Sequence, residues 1–196
     1  MGTGASVVAV VLAAGSASRF GGGKLLAPWR GAPLLHAALA AARAAPATSI
    51  TVVTGADAEA VGACARAFDP RIRLVHADDH AEGMAASLRA GIAALPPGTT
   101  AAFVFLGDMP RVPHVVLGPL AQAVADGAPA AAPLFEGRRG NPVVLGRELF
   151  PAVAALTGDV GARPVLQALG ARLALVEAPD DGVLFDVDEP GDLTGG

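Results

Sequence analysis

One cysteine, Cys64, stands in the chain of 196 residues, so no intrachain disulfide can form. Neither a cysteine cluster nor a histidine-rich motif offers a zinc site. His36, His76, His80 and His114 are scattered without metal-ligand spacing, and each reads as a surface residue of a helix or loop. A reducing cytoplasm is the default this implies. Basic charge is also scarce: the net charge of -4 and pI near 5.5 give no global basic field. Bulk nucleic-acid binding is excluded on that ground, and an anionic ligand must be held by local charges. No apolar run approaches the roughly 20 residues needed to span a bilayer, so no membrane association is expected. The opening MGTGAS fits a myristoylation pattern and Val7 to Ala14 resembles a signal-peptide core. No basic residue precedes that core and a glycine-rich loop follows it, so neither signal is expected.

Apolar residues, in contrast, make up 53% of the chain, enough to bury one large core. Short β-branched runs predict strands at Val7–Leu12, Ile50–Thr54, Ile72–His76, Ala101–Leu106, Ala130–Leu134, Val143–Leu145, Arg172–Glu177 and Val183–Phe185. Between them, Ala- and Leu-rich segments predict helices at Pro33–Ala44, Asp57–Phe68, Met84–Leu95, Pro113–Ala125, Arg147–Leu156 and Ala162–Leu169. Pro33 and Pro113 suit a first helical turn, and Asp57 suits an N-cap. Strands alternating with helices imply an α/β fold, a three-layer sandwich with a mostly parallel, Rossmann-like sheet. The breaks at Pro96–Gly98 and Gly127–Pro129 are turn-sized and no repeat is present, so a single domain is expected.

Ligands of an open parallel sheet sit at the carboxyl ends of its strands, and three informative segments fall there. The first, after Leu12, is a loop rich in glycine. It is not a Walker A motif, because Leu25 follows Gly23-Lys24 where Ser or Thr belongs, and Gly15, Ser16, Ala17 lacks the G-x-G step of a dinucleotide fingerprint. Its glycines permit close backbone approach, and Arg19 and Lys24 supply two cations, which suits a polyphosphate. In the second, an apolar strand delivers Asp108 beside Gly107; a carboxylate there, near phosphates, suggests Mg²⁺. The third, Val183 to Leu193, carries Asp186 and Asp188, which point to one side if the segment is extended and offer a second carboxylate to the metal.

LAAGSASRFGGGKLL, AEGMAASLRAGI, FLGDMP, RRGNPVVL, GDVGAR and FDVDEPGDL occur in the order and spacing of the molybdenum cofactor nucleotidyltransferases. From about Val7 to Leu193 the chain resembles these MobA-like NTP transferases. The resemblance implies the nucleotide-diphospho-sugar transferase type of α/β fold and Mg²⁺-dependent transfer of NMP from an NTP. It implies one domain over residues 1–196, nucleotide-binding to about residue 130 and acceptor-binding beyond. Ala13, Ala14 and Gly15 match backbone contacts to base and ribose, and Arg19 and Lys24 match the triphosphate clamp. Gly83, Met84 and Ser87 resemble the base-selecting segment. Asp108 and Asp186 match the metal positions, with Asp188 secondary. Asn141, Pro142, Gly158, Asp159, Gly161, Ala162 and Arg163 resemble the acceptor side, where amides at a helix start and Arg163 would hold a pterin phosphate.

Two branches of that family differ in their base. The guanylyl branch usually has Asp directly before the lysine, a second glycine in the first motif and Cys-Asp on the metal strand; here those positions read Gly23, Ala14 and Gly107. The resemblance therefore favours CTP, a molybdopterin-type acceptor and release of pyrophosphate, with a molybdoenzyme or its chaperone as recipient. Asn141 replaces a histidine frequent in the cytidylyl branch, and Val160 replaces a more usual polar residue, so another phosphorylated acceptor stays open. A nicotinamide-dependent oxidoreductase of the nicotine blue type on the same scaffold also stays open, although no G-x-G-x-x-G loop is present. So does a cofactor carrier without turnover. Trp29 reads as packing the loop against the core.

Overall fold

Valines at positions 7, 8, 10 and 11 favour extended backbone, and they build the central strand of a computed structural model that describes residues 6–16 and 20–194. That strand, β1 (Ser6–Ala13), is followed by a two-strand ribbon, β2 (Pro28–Trp29) and β3 (Ala32–Pro33), which local pattern did not predict. Then come β4 (Ser49–Thr54), β5 (Arg73–His76), β6 (Thr99–Leu106), β7 (Ala130–Phe135), β8 (Arg138–Arg139), β9 (Val143–Gly146) and β10 (Leu173–Glu177). The helices are α1 (Leu34–Ala44), α2 (Ala58–Phe68), α3 (Met84–Ala93), α4 (Leu117–Ala125), α5 (Phe150–Ala154) and α6 (Arg163–Leu169). The main sheet runs β10-β7-β9-β6-β1-β4-β5, with β8 paired to β7. Pairings of β1 with β4 and β6, β4 with β5, and β7 with β10 are parallel; β9 runs antiparallel to both β6 and β7.

Both faces of the sheet are covered. Leu35 and Leu39 of α1, Val61 of α2 and Leu117 and Leu120 of α4 pack one face, against Val11 and Phe103 among others. Leu88 of α3, Val153 of α5 and Leu166 of α6 pack the other, against Val10 and Val104. Burying each such side chain is worth about 1.5–3 kcal/mol, which is why the central strands read as near-continuous apolar runs. A smaller cluster joins Trp29, Leu34 and Val187, with Phe20 and Phe185 packed on it, so Trp29 does pack the glycine-rich loop to the body.

Three local expectations are corrected. Val183–Phe185 is not a strand: Asp181–Val183 is a 3-10 turn, and the Asp180 side chain accepts from the Gly182 amide at 2.9 Å. The Val183 carbonyl accepts from the Asn141 amide at 2.8 Å, a tie to a loop that leaves the segment outside the sheet ladder. Asp57 sits at the N-cap of α2 but its side chain makes no capping bond. The helix expected from Pro113 begins as a 3-10 turn, His114–Val116, before α4. Among the described residues no helix is long and apolar enough to cross a membrane.

Candidate active site

At the carboxyl end of β1 the chain leaves the sheet with Ala13 and Ala14 almost fully buried, each lining a cavity there. Gly21, Gly22 and Gly23 have φ of 89°, 93° and 64°, a left-handed run that residues with a Cβ rarely adopt. It delivers Lys24 at the start of a 3-10 turn, Lys24–Leu26, anchored by the buried Leu25. Arg19, the other cation read from the sequence, lies outside the described residues.

Across the sheet, the Gly107 amide donates to the Leu12 carbonyl at 2.9 Å and carries the β1–β6 pairing one step beyond Leu106. Asp108 comes next. Lys24 Nζ donates to Asp108 Oδ2 at 2.6 Å and lies 3.9 Å from Asp188 Oδ1. The Lys24 and Asp108 side chains are 12% and 23% exposed, so the pair is partly shielded from water and its attraction is less screened by salt than that of an exposed pair.

The third acidic segment reaches this point through backbone. The Val187 amide donates to the Asp108 carbonyl at 3.0 Å, and the Val187 side chain is fully buried, which leaves Asp186 and Asp188 on either side of it beside Asp108. The amides of Asp188 and Glu189 both donate to Asp192 Oδ2 at 2.8 Å, and these bonds hold the Asp192 carboxyl below its ordinary range. Asp186 is pushed the other way: partial desolvation raises its carboxyl, and the charges of Asp108 and Asp188 raise it further.

Three adjoining cavities surround these groups. The largest, about 730 Å³, is lined by Ala14, Gly15, Gly83, Met84, Ser87, Asp108, Asp186 and Asp188 among others. A small one of about 90 Å³ adjoins Ala13, Gly15, Gly23, Lys24, Asp57 and Asp108. A third, about 360 Å³, is lined by Arg139, Asn141, Asp159, Gly161, Ala162 and Arg163, with an apolar wall that includes Val104, Val143 and Leu166. Leu12, Met84, Leu106 and Asp159 line both the largest and the third.

Several predicted positions change meaning. Pro142 is buried and does not line the third cavity. The helix start at Ala162 and Arg163 offers less to an anion than expected, because the Arg163 amide donates to the Val160 carbonyl at 3.3 Å and Pro164 has no amide hydrogen. Asp159 accepts from the Met84 amide at 3.0 Å, so it ties the start of α3 to its own loop. His80 and Glu82, unassigned from the sequence, line the large cavity, and Arg139 lines the third. Their nearness in sequence to Gly83 and Asn141 is the signal that could have found them.

Among the described residues no group of three or more His, Cys, Asp or Glu side chains forms a ready-made metal cage. The donor set present, Asp108 and Asp186, fits a hard divalent cation that takes its other ligands from phosphate and water. Such a cation would offset both the desolvation and the repulsion from Asp108 and Asp188 that raise the Asp186 carboxyl. Residues 9–173 match the MobA-like NTP transferase domain.

The chain belongs to that family.

Among curated relatives, nicotine blue oxidoreductase of Paenarthrobacter nicotinovorans is 35% identical over 190 residues, covering 93% of this chain and 92% of that protein. Purine catabolism protein PucB of Bacillus subtilis is 32% identical, with 94% and 92% covered. The molybdenum cofactor cytidylyltransferase of Escherichia coli is 26% identical, again with 94% and 92% covered. Rv0371c of Mycobacterium tuberculosis superposes with a TM-score of 0.84 at 29% identity, covering 97% of this chain and 96% of that one. A second structure of Rv0371c, a complex with manganese, covers 88% of each chain at 27% identity and a TM-score of 0.75. A nucleotidyl transferase from Methanothermobacter, Mth528, gives 0.79 at 27% identity, with 97% and 95% covered. This MobA-like NTP transferase thus has the mostly parallel α/β sheet that its strand and helix pattern implied, in the nucleotide-diphospho-sugar transferase form that the family resemblance implied.

Proposed function

We propose that the protein transfers CMP from CTP to the phosphate of a molybdopterin-type cofactor in a Mg²⁺-dependent reaction that releases pyrophosphate. The observation that carries this reading is the meeting of Lys24, Asp108, Asp186 and Asp188 beside one large cavity that shares a wall with a second. In it, the backbone of Ala13, Ala14 and Gly15 and the segment Gly83, Met84 and Ser87 hold the nucleoside. Arg19 and Lys24 take the triphosphate, and Asn141, Asp159, Gly161, Ala162 and Arg163 take the acceptor.

An acceptor phosphate oxygen attacks the α-phosphorus, and the bond from that phosphorus to the bridging oxygen of the leaving pyrophosphate breaks. Asp108 and Asp186 would hold the divalent cation, which supplies charge neutralisation on the phosphoryl oxygens when bound. Lys24, within reach of Asp108 and Asp188, donates to the departing pyrophosphate, where negative charge accumulates. No covalent intermediate on the chain is required; positioning and electrostatics do the catalysis. The reducing cytoplasm is the compartment this reading assigns, with a molybdoenzyme or its chaperone as recipient.

The 35% identity to nicotine blue oxidoreductase favours a second reading, nicotinamide-dependent reduction of a small aromatic compound. Pyrophosphate release from each NTP with Mg²⁺ and molybdopterin acceptor, run beside NADH oxidation, separates the two. Pyrophosphate release dependent on acceptor supports the first; NADH consumption without pyrophosphate overturns it in favour of the second. Nucleotide and pterin binding with neither product indicates a carrier without turnover.

A further inference from the structure

Two segments 75 positions apart are joined along the wall between the two large cavities. The first two amides of a helix have no carbonyl partner within it. In α3 both are satisfied from the loop before α6: the Met84 amide donates to Asp159 Oδ1 at 3.0 Å, and the Ala85 amide to the Gly158 carbonyl at 3.1 Å. Farther along α3, Arg89 donates to the Leu156 carbonyl at 2.6 Å and pairs with Asp79 and Glu82 on the nucleotide side. Missing side chains permit this approach from each side. A Cβ on Gly83, whose φ is 115°, would stand 2.8 Å from the Gly158 carbonyl, and one on Gly161, whose φ is 53°, would stand 2.7 Å from Met84 Sδ.

We propose that Asp159 is a positioning residue: from the acceptor-side loop it fixes the start of α3, and through it the placement of Gly83, Met84 and Ser87 in the nucleotide cavity. The affinity for nucleotide therefore depends on a residue of the loop before α6 that lines both cavities. Loss of one bond in the junction loosens the next, because Met84 and Ala85 are consecutive and their acceptors, Asp159 and Gly158, are consecutive too. This inference rests on the nucleotide-binding reading for its effect on affinity, while the junction itself is tested without any ligand.

The test compares wild type, Asp159→Ala and Asp159→Asn, each first checked for an unchanged circular dichroism spectrum. Hydrogen exchange of the ligand-free proteins is measured at Ala85, whose amide is bonded to Gly158 and not to Asp159. Titration with CTP and Mg²⁺, with no acceptor present, gives the nucleotide affinity. Asp159→Ala is expected to speed exchange at Ala85 and to weaken CTP about five- to tenfold, the size expected for loss of a helix cap coupled to a site. Asp159→Asn restores both, since its amide oxygen accepts the same bond. Unchanged Ala85 exchange or unchanged CTP affinity in Asp159→Ala overturns the proposal. Equal weakening by Ala and Asn also overturns it, because charge and not the bond would then be the cause. If wild type binds none of the four NTPs, the nucleotide reading falls instead, and the exchange result alone decides the positioning role.

Discussion

Lys24 Nζ lies 2.6 Å from Asp108 Oδ2, a bond that ties the glycine-rich loop after β1 to the end of β6 across 84 positions of sequence. The relationship puts a cation read as a phosphate clamp and a carboxylate read as a metal ligand within one ion pair. Removing Lys24 leaves Asp108 partly buried without this cation, and removing Asp108 leaves Lys24 only the longer 3.9 Å approach to Asp188, so each substitution affects the charge balance of the site as well as its own contact.

Asp108→Ala is expected to remain folded and to lose about 10²-fold or more in turnover, equivalent to about 2.7 kcal/mol of transition-state stabilisation. Asp186→Ala should act similarly, because both carboxylates line the same cavity. Steady-state rates at saturating Mg²⁺ check this. Near-normal turnover of either variant would reject the assignment of the two carboxylates.

Lys24→Ala should weaken CTP binding and slow transfer while leaving acceptor affinity close to wild type, since the lysine faces the cavity beside Gly15 and Gly23 and not the third cavity. Separate titrations with CTP and with acceptor test it. Intact nucleotide binding with a large loss of acceptor binding would assign the loop to the other substrate.

CTP should be preferred over GTP by at least about tenfold in kcat/KM, because a site shaped for a pyrimidine leaves guanine's polar edge unpaired. Gly23, in the position where the guanylyl branch usually has Asp, and Ala14 carry this expectation. Competition between the two nucleotides with one acceptor measures it. A GTP preference would reject the base assignment and leave the transfer chemistry standing.

Acid stability should report on Asp69, which lines none of the three cavities around the site. Its carboxylate accepts from the Arg71 side chain at 2.9 and 3.1 Å and from the Arg71 amide at 3.0 Å, which hold its pKa at about 2. A depressed carboxyl pKa contributes stability above the unfolded value of about 3.9 and loses it as the pH falls through the folded one. Asp69→Asn is therefore expected to lower Tm at pH 7, with the difference closing between about pH 4 and about pH 2. A gap in Tm that stays constant down to pH 2 would show that the ion pair is not its source.

Much of this molecule was readable without coordinates. The apolar runs of β1 and β6, the helical repeats of α1 to α3 and the glycines ahead of Lys24 are signals contained within a few neighbouring residues, and each reports burial or backbone freedom at its own position. The same local reading placed Asp108 at a strand end, because a buried strand must stop where a polar residue begins. Other features depend on partners 75 or 84 positions away, which only the strand order brings together. Sheet order decided that Lys24 meets Asp108 and that Asp159 closes the start of α3. The apolar triplet Val183–Phe185 looked like a strand, but its polar backbone found partners in a turn and in the loop at Asn141, outside the ladder. Periodicity records which side chains seek the core; which backbone groups pair across the fold is settled only when the layers pack.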